Sequence, residues 1–197
     1  MSIEILIKIY FTWHEQNSRG NQLEKNKKNR YSKQMDSFQK TTIGKPEKWL
    51  IEAAACIGLE IAGFTHEVTD NFKSHVFKQH GNEISEKARG QIAVTQSDIA
   101  KIPNIVKTPD FTIIGIKRDS ETLIAYSKKY DNNTVIYYEE VLTGKKSKTL
   151  RSKTMFIKIG SMSKETFINI AGNHAHVDMS GVKIVVGAGG HPDGGTQ

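Results

Sequence analysis

The chain has 197 residues, with 28 Lys and Arg against 21 Asp and Glu, a formal net charge of +7. That length fits one domain with tails, and the positive balance points to an anionic partner, nucleic acid being the commonest. One cysteine, Cys56, excludes a disulfide framework within the chain, and no run approaches the roughly 20 apolar residues of a membrane helix.

The opening "MSIEILIKIYFTW" is apolar but broken by Glu4 and Lys8, without a basic lead or a small-residue cleavage site. It is not read as a signal peptide. The expected setting is cytoplasmic, the chain's own or that of a target cell. Residues 14–45, with "NQLEKNKKNRYSKQ", lack periodic apolar positions and cannot bury enough surface to offset their ordering entropy. Residues 1–45 are therefore expected to be a basic, flexible segment.

The folded unit is expected at 46–160. Pro46 suits a first helical position and opens "EKWLIEAAACIGL", with Cys56 expected to be a small buried hydrophobe. "LEIAGFTHEVT" reads as a strand bent at Gly63. Asp70 is the expected cap of the next helix, "NFKSHVFKQH", with Phe72, Val76 and Phe77 on its buried side and Gly81 as a left-handed stop. Thr95 and Asp98 have the spacing of a capping box.

Four β-rich runs follow: "FTIIGIKR", "TLIAYSKKY", "TVIYYEEV" and "KTLRSKTMFIKI". Short turn-type connections imply a four-stranded antiparallel meander. With the helices before it the fold class is α+β: N-terminal helices packed on one face of the sheet, the other face open. Residues 161–197 form a Gly-rich extension in which "VKIVV" is a possible strand and "GAGGHPDGG" a tail.

Several residues can carry chemistry. His75 and His80 sit five apart, about 140° around a helix, which disfavours a shared metal and suits separate proton donor and acceptor roles. His66 lies just upstream and is a further candidate for the same pocket. Arg89, in Arg89-Gly90-Gln91, can aim a guanidinium at a phosphate. The last strand holds Lys145, Lys146, Lys148, Arg151, Lys153 and Lys158 with no acid among them. By strand alternation either Thr154 or these basic side chains face the site, but not both. Tyr126, Tyr130, Tyr137 and Tyr138, interleaved with basic residues, suit base stacking; one of the adjacent pair Tyr137 and Tyr138 is expected in the core. The plain alternatives are surface histidines, a solvated arginine and ordinary strand packing. "HAH" at 174–176 lacks an obvious third metal ligand.

As an ensemble, "FTHEVTDNFKSHVFKQHGN", "ARGQIAVTQSDIAKIPNIVKTPD" and "YYEEVLTGKKSKTLRSKTMF" resemble the phage-borne barnase–EndoU–colicin–RelE-like nuclease (PBECR) domains, over about residues 58–159. The resemblance implies helices on a four-stranded antiparallel sheet and a metal-independent ribonuclease without cofactor, of toxin or mobile-element type. His75 and His80 match the family's histidines, Arg89 its arginine turn and Thr154 the hydroxyl of the last strand. Catalytic roles are expected at His75, His80, Arg89 and Thr154, and substrate binding at Lys128, Lys153, Arg151 and Tyr126. Implied partners are RNA, transfer RNA among the substrates to consider, and an immunity or antitoxin protein, with no membrane. The alternative is a non-catalytic nucleic-acid-binding or phage-derived structural module.

Overall fold

The computed structural model describes residues 39–144, 147–173 and 176–187. The expectations for 1–38, for Lys145 and Lys146, for His174 and for the tail beyond Gly187 lie outside the described residues. Among those described, no helix is long and apolar enough to cross a membrane.

The four β-rich runs form where apolar residues recur in the sequence. They are β4 (Phe111–Arg118), β5 (Glu121–Tyr130), β6 (Asn133–Leu142) and β7 (Thr149–Ile159). Asp119 and Asp131, both at φ 52°, turn the first two hairpins, a left-handed conformation that Asp adopts more readily than most residues. Each strand pairs antiparallel with the next.

The sheet is larger than the expected four strands. Its order is β1-β2-β7-β6-β5-β4-β8, with β3 added on β7 and β9 on β4. Here β1 is Lys40–Gly44, β2 Thr65–Thr69, β3 Gln91–Ile92, β8 Val177–Asp178 and β9 Lys183–Val186. β1 precedes the boundary expected at residue 46, and "VKIVV" supplies β9 on the free edge of β4. β9, beyond residue 160, thus caps the β4 edge of the meander, and β1, before residue 46, caps β2, the strand laid on its β7 edge.

Helices α1 (Lys48–Ala55), α2 (Asp70–His80), α3 (Glu83–Ala88), α4 (Gln96–Ile99) and α5 (Ile102–Lys107) precede the central strands. Leu50, Phe72, Val76, Ile102 and Ile105 pack with Ile114, Ile124, Tyr126, Tyr137 and Met155 in the main core. The opposite face is not left open: α6 (Lys164–Gly172) returns across it, burying Phe167 and Ala171 on Ile113, Ile116, Leu123, Ala125 and Ile136.

Several local expectations change. Thr69, not Asp70, caps α2 by accepting the Phe72 N–H at 3.2 Å. Gly81 has φ −94° and is not left-handed. Glu47, after Pro46, is the N-cap of α1. Cys56 and Phe77 are exposed, because the buried stripes of their helices run through Leu50, Ala53 and Ala54 and through Phe72 and Val76. The Thr95–Asp98 capping box is present.

Two register slips decide which side chains share a face. At Gly115, φ 89°, the β4–β5 register shifts, and a Cβ there would lie 2.6 Å from Ile57 Cδ1. In β7 the partner of Tyr138 is Thr154 but the partner of Glu139 is Ser152, so Lys153 is an extra residue. A bulge of this kind breaks the alternation of side chains. Ser152 and Met155 face the helices, while Lys153 and Thr154 both face the other side.

Candidate active site

Of the expected site residues, His80 and Thr154 come together on the sheet face opposite the main core, beside the edge of β7. β2 meets that edge at Thr149–Arg151 and β3 at Ile157–Lys158. Between them α2 packs against β7 and brings its last residue, His80, onto Phe156, with ring centroids 5.7 Å apart. A cavity of about 190 Å³ opens there. His80, Gln91, Arg118, Tyr138 and Thr154 supply its polar lining, and Ile116, Leu123 and Phe156 much of its apolar wall.

His80 is held from behind. Its Nδ1 lies 3.2 Å from Glu86 Oε2. The Glu86 carboxylate, fully buried, accepts a 2.7 Å bond from Arg89 Nη1 at its other oxygen. Arg89 Nη1 also donates to the Gln79 carbonyl at 3.1 Å. The His80 carbonyl accepts the Val94 N–H at 2.7 Å, pinning the helix end. A carboxylate at Nδ1 selects the tautomer with the proton there and leaves Nε2 without one, as orienting carboxylates do. Glu86 was not singled out in the sequence. Its signal was its place between His80 and Arg89, one turn before the arginine on the same short helix.

Arg89 therefore stands behind the histidine and does not line the cavity. The guanidinium that does is Arg118, whose Nη2 donates to Glu121 Oε2 at 2.8 Å. Lys153 reaches the other oxygen of Glu121 and lies 3.7 Å from Glu140. Burial works to raise the Glu121 pKa, but hydrogen bonds from Lys153 and Arg118 bring it below the ordinary glutamate value. One carboxylate thus spaces two cations on the face that carries Thr154. The expectation that Thr154 and the basic residues exclude one another fails for Lys153 because of the bulge.

His75 is exposed on α2 and does not line the cavity. Partial burial lowers its pKa below the ordinary histidine value, and the positive charges of His80, Lys153 and Lys78 lower it further. His75 is thus within electrostatic reach of the cavity's histidine and of the bulge lysine.

The remaining expected binding residues lie elsewhere. Tyr126 is fully buried under the helices and donates to Glu139 Oε2 at 2.9 Å, so its ring cannot stack on a base. Lys128 bonds the Thr108 carbonyl and, at 3.1 Å, the Thr108 hydroxyl, on the helix-covered side. Arg151 lines a separate hollow with Glu121 and Glu140. His66 is also away from the cavity, buried at 1 % exposure with its Nδ1 2.9 Å from Glu139 Oε2. Tyr137 and Tyr138 both enter cores, one on each face of the sheet.

A family model described as phage-Barnase-EndoU-ColicinE5/D-RelE like nuclease3 (PBECR3) matches residues 44–165. No curated protein and no solved structure gives a match. The matched span covers more than half of the chain and holds β2 to β7, His80, its Glu86–Arg89 support and the bulge of β7. The chain belongs to the PBECR3 family of barnase–EndoU–colicin–RelE-like nucleases.

Proposed function

We propose that this nuclease cuts RNA by attack of a ribose 2′-hydroxyl on its own 3′ phosphate. The observation that carries the reading is His80, oriented by the buried Glu86 carboxylate into a cavity that also holds Thr154 and Arg118. His75, exposed on the same helix as His80 and with its pKa lowered by partial burial and positive neighbours, is the proposed acceptor of the 2′-hydroxyl proton. The 2′-oxygen then bonds to phosphorus and the bond from phosphorus to the 5′-oxygen breaks. His80 returns a proton to that leaving oxygen through Nε2. Arg118, Lys153 and the Thr154 hydroxyl face the negative charge that builds on the phosphoryl oxygens. The products are a 2′,3′-cyclic phosphate and a 5′-hydroxyl, and the scheme needs no metal or cofactor.

RNA is the proposed partner, in keeping with the net charge of +7. A binder that does not cut is the competing reading. It gives no reason to bury a carboxylate behind a cavity histidine, since burying a charge is costly unless it is paired. Incubating the protein with single-stranded RNA in the presence of a chelator tests the proposal. Fragments ending in 2′,3′-cyclic phosphate are expected; RNA left intact with and without divalent ions overturns it.

A further inference from the structure

Five polar side chains meet on the buried side of the sheet: His66, Tyr126, Tyr137, Glu139 and Ser152, each at 5 % exposure or less. Glu139 is the hub. His66 Nδ1 and the Tyr126 hydroxyl lie 2.9 Å from its Oε2, and the Tyr137 hydroxyl 3.1 Å from its Oε1. Ser152 Oγ lies 2.7 Å from the Tyr137 hydroxyl and 2.8 Å from the Glu67 carbonyl. All five face the helix-covered core, away from the cavity. A buried ionic cluster is a poor source of stability, because apolar side chains of like volume often serve as well or better. Its placement supplies another role.

The cluster straddles the bulge of β7. On β6, Tyr137 pairs with Met155 and Tyr138 with Thr154, but Glu139 pairs with Ser152. Tyr137 and Glu139 thus flank the slip on one strand, and Ser152 directly precedes the extra residue, Lys153, on the other. The Tyr137–Ser152 contact runs diagonally across the slip and joins its two sides. The parallel ladder between β2 and β7 ends at Glu67 and Arg151, and the Glu67 carbonyl meets Ser152 where it stops. Phe72 of α2 packs edge-on against Tyr137, centroids 6.0 Å apart, so the helix that ends in His80 rests on the same cluster. On the other face the slip re-aims two side chains. In a regular strand Lys153 and Thr154 would point to opposite sides. With the slip, Thr154 lines the cavity while Lys153 reaches Glu121, which Arg118 also holds. Bulges re-aim side chains in this way beside active sites.

We propose that Ser152, with Tyr137 and Glu139 behind it, is a positioning group that fixes the bulge where Lys153 and Thr154 both reach the cavity side. Deleting the Ser152 hydroxyl frees the slip to move along β7, because the diagonal contact to Tyr137 and the anchor to Glu67 are both lost. Lys153 or Thr154 then turns away from the site. The proposal rests on the ribonuclease reading for what these two side chains do, and not for how they are placed.

The test uses the full chain and two substitutions inside the cluster, Ser152→Ala and Tyr137→Phe. Nuclear magnetic resonance contacts between strands read the slip directly, through the pairs Tyr138 with Thr154 and Glu139 with Ser152. Single-turnover cleavage of one RNA, at saturating protein and well below each melting temperature, reads the site. A group that only supports the fold lowers the melting temperature and leaves the pairing and the rate per folded molecule unchanged. In Ser152→Ala both pairs should weaken in favour of neighbouring ones. The rate should fall by roughly tenfold to a hundredfold, the scale of a small misplacement of a reacting partner. Tyr137→Phe should act the same way to a smaller extent, and it decides alone where Ser152→Ala does not fold. Unchanged pairing, an unchanged rate despite altered pairing, or failure of both variants to fold overturns the proposal. If no RNA is cut even by the unmodified protein, the His75 titration takes the place of the rate. The charge of Lys153 helps to hold the His75 pKa down, so displacing Lys153 raises it. Altered pairing with a raised titration upholds the positioning and retires the nuclease reading; altered pairing with an unmoved titration overturns the positioning.

Discussion

His66 and Glu139 meet inside the helix-covered core, Nδ1 2.9 Å from Oε2, at 1 % and 0 % exposure. Tyr126 and Tyr137 donate to the same carboxylate at 2.9 and 3.1 Å. The Tyr137 oxygen also lies 2.7 Å from Ser152 Oγ, which is 2.8 Å from the Glu67 carbonyl, so the two hydroxyl protons serve two of these three contacts at a time. This network ties β2, β5, β6 and β7 together directly behind the bulge. His66→Ala removes one partner of a buried pair and should destabilise the fold by about 3–5 kcal/mol. Denaturant midpoints measure this, and a loss under about 1 kcal/mol would show that the tyrosines alone satisfy the carboxylate.

His80, Glu86 and Arg89 are hydrogen-bonded in series. His80→Ala should lower the cleavage rate by roughly 10²–10⁴, the contribution of a positioned acid or base. Glu86→Gln should cost less, and Arg89→Ala less again. The His80→Ala, Glu86→Gln double variant should be no slower than His80→Ala, because Glu86 works through the ring it orients. Single-turnover rates on one RNA decide the order. An Arg89→Ala loss equal to that of His80→Ala would assign Arg89 to the phosphate.

The pKa of His75 is lowered by burial and then by the charges of His80, Lys153 and Lys78. Each positive neighbour disfavours the imidazolium, so removing one raises the pKa. Lys78→Met should move the His75 ring-proton titration, followed by nuclear magnetic resonance, to higher pH. The acid limb of the rate profile should move the same way if His75 takes the 2′-hydroxyl proton. A shifted titration with an unmoved limb would remove His75 from that step.

Binding to an uncleavable oligonucleotide should weaken with salt by a slope of about −0.7 in log K against log salt for each phosphate neutralised on a single strand. Lys153→Ala should make the slope shallower by about one phosphate. Lys128→Ala should leave it unchanged, because Lys128 is spent on Thr108 under the helices. Equal effects of the two variants would mean that RNA does not follow the face carrying Thr154.

Much of this molecule was legible in its sequence where the information is local. β4 to β7 follow from β-rich runs between turn residues, and the Thr95–Asp98 capping box from a spacing of three. The family resemblance was carried by short motifs from α2 to β7. The outer strands were harder to read. β1 and β9 are mostly exposed edge strands, and a strand that buries little leaves a weak periodic signal.

What the sequence determined by itself is the four central strands with α1 and α2, the excess of positive charge and the presence of His75, His80 and Thr154 within them, because propensity, patterning and charge are properties of neighbours along the chain. Tertiary structure alone decided which of these residues meet. Arg118 and Thr154 line one cavity although 36 positions separate them (154 − 118), and His66 finds Glu139 at a separation of 73. The bulge at Lys153 reverses the outcome of strand alternation, and no pattern within "LRSKTMF" marks it. Ser152 beside it is in contact with the Tyr137 hydroxyl at 2.7 Å and the Glu67 carbonyl at 2.8 Å, from two distant strands. Side chains brought together by such long-range pairing leave no period in the sequence, so the buried Glu86 carboxylate behind His80 and the cavity they share with Thr154 emerge only once the sheet is assembled.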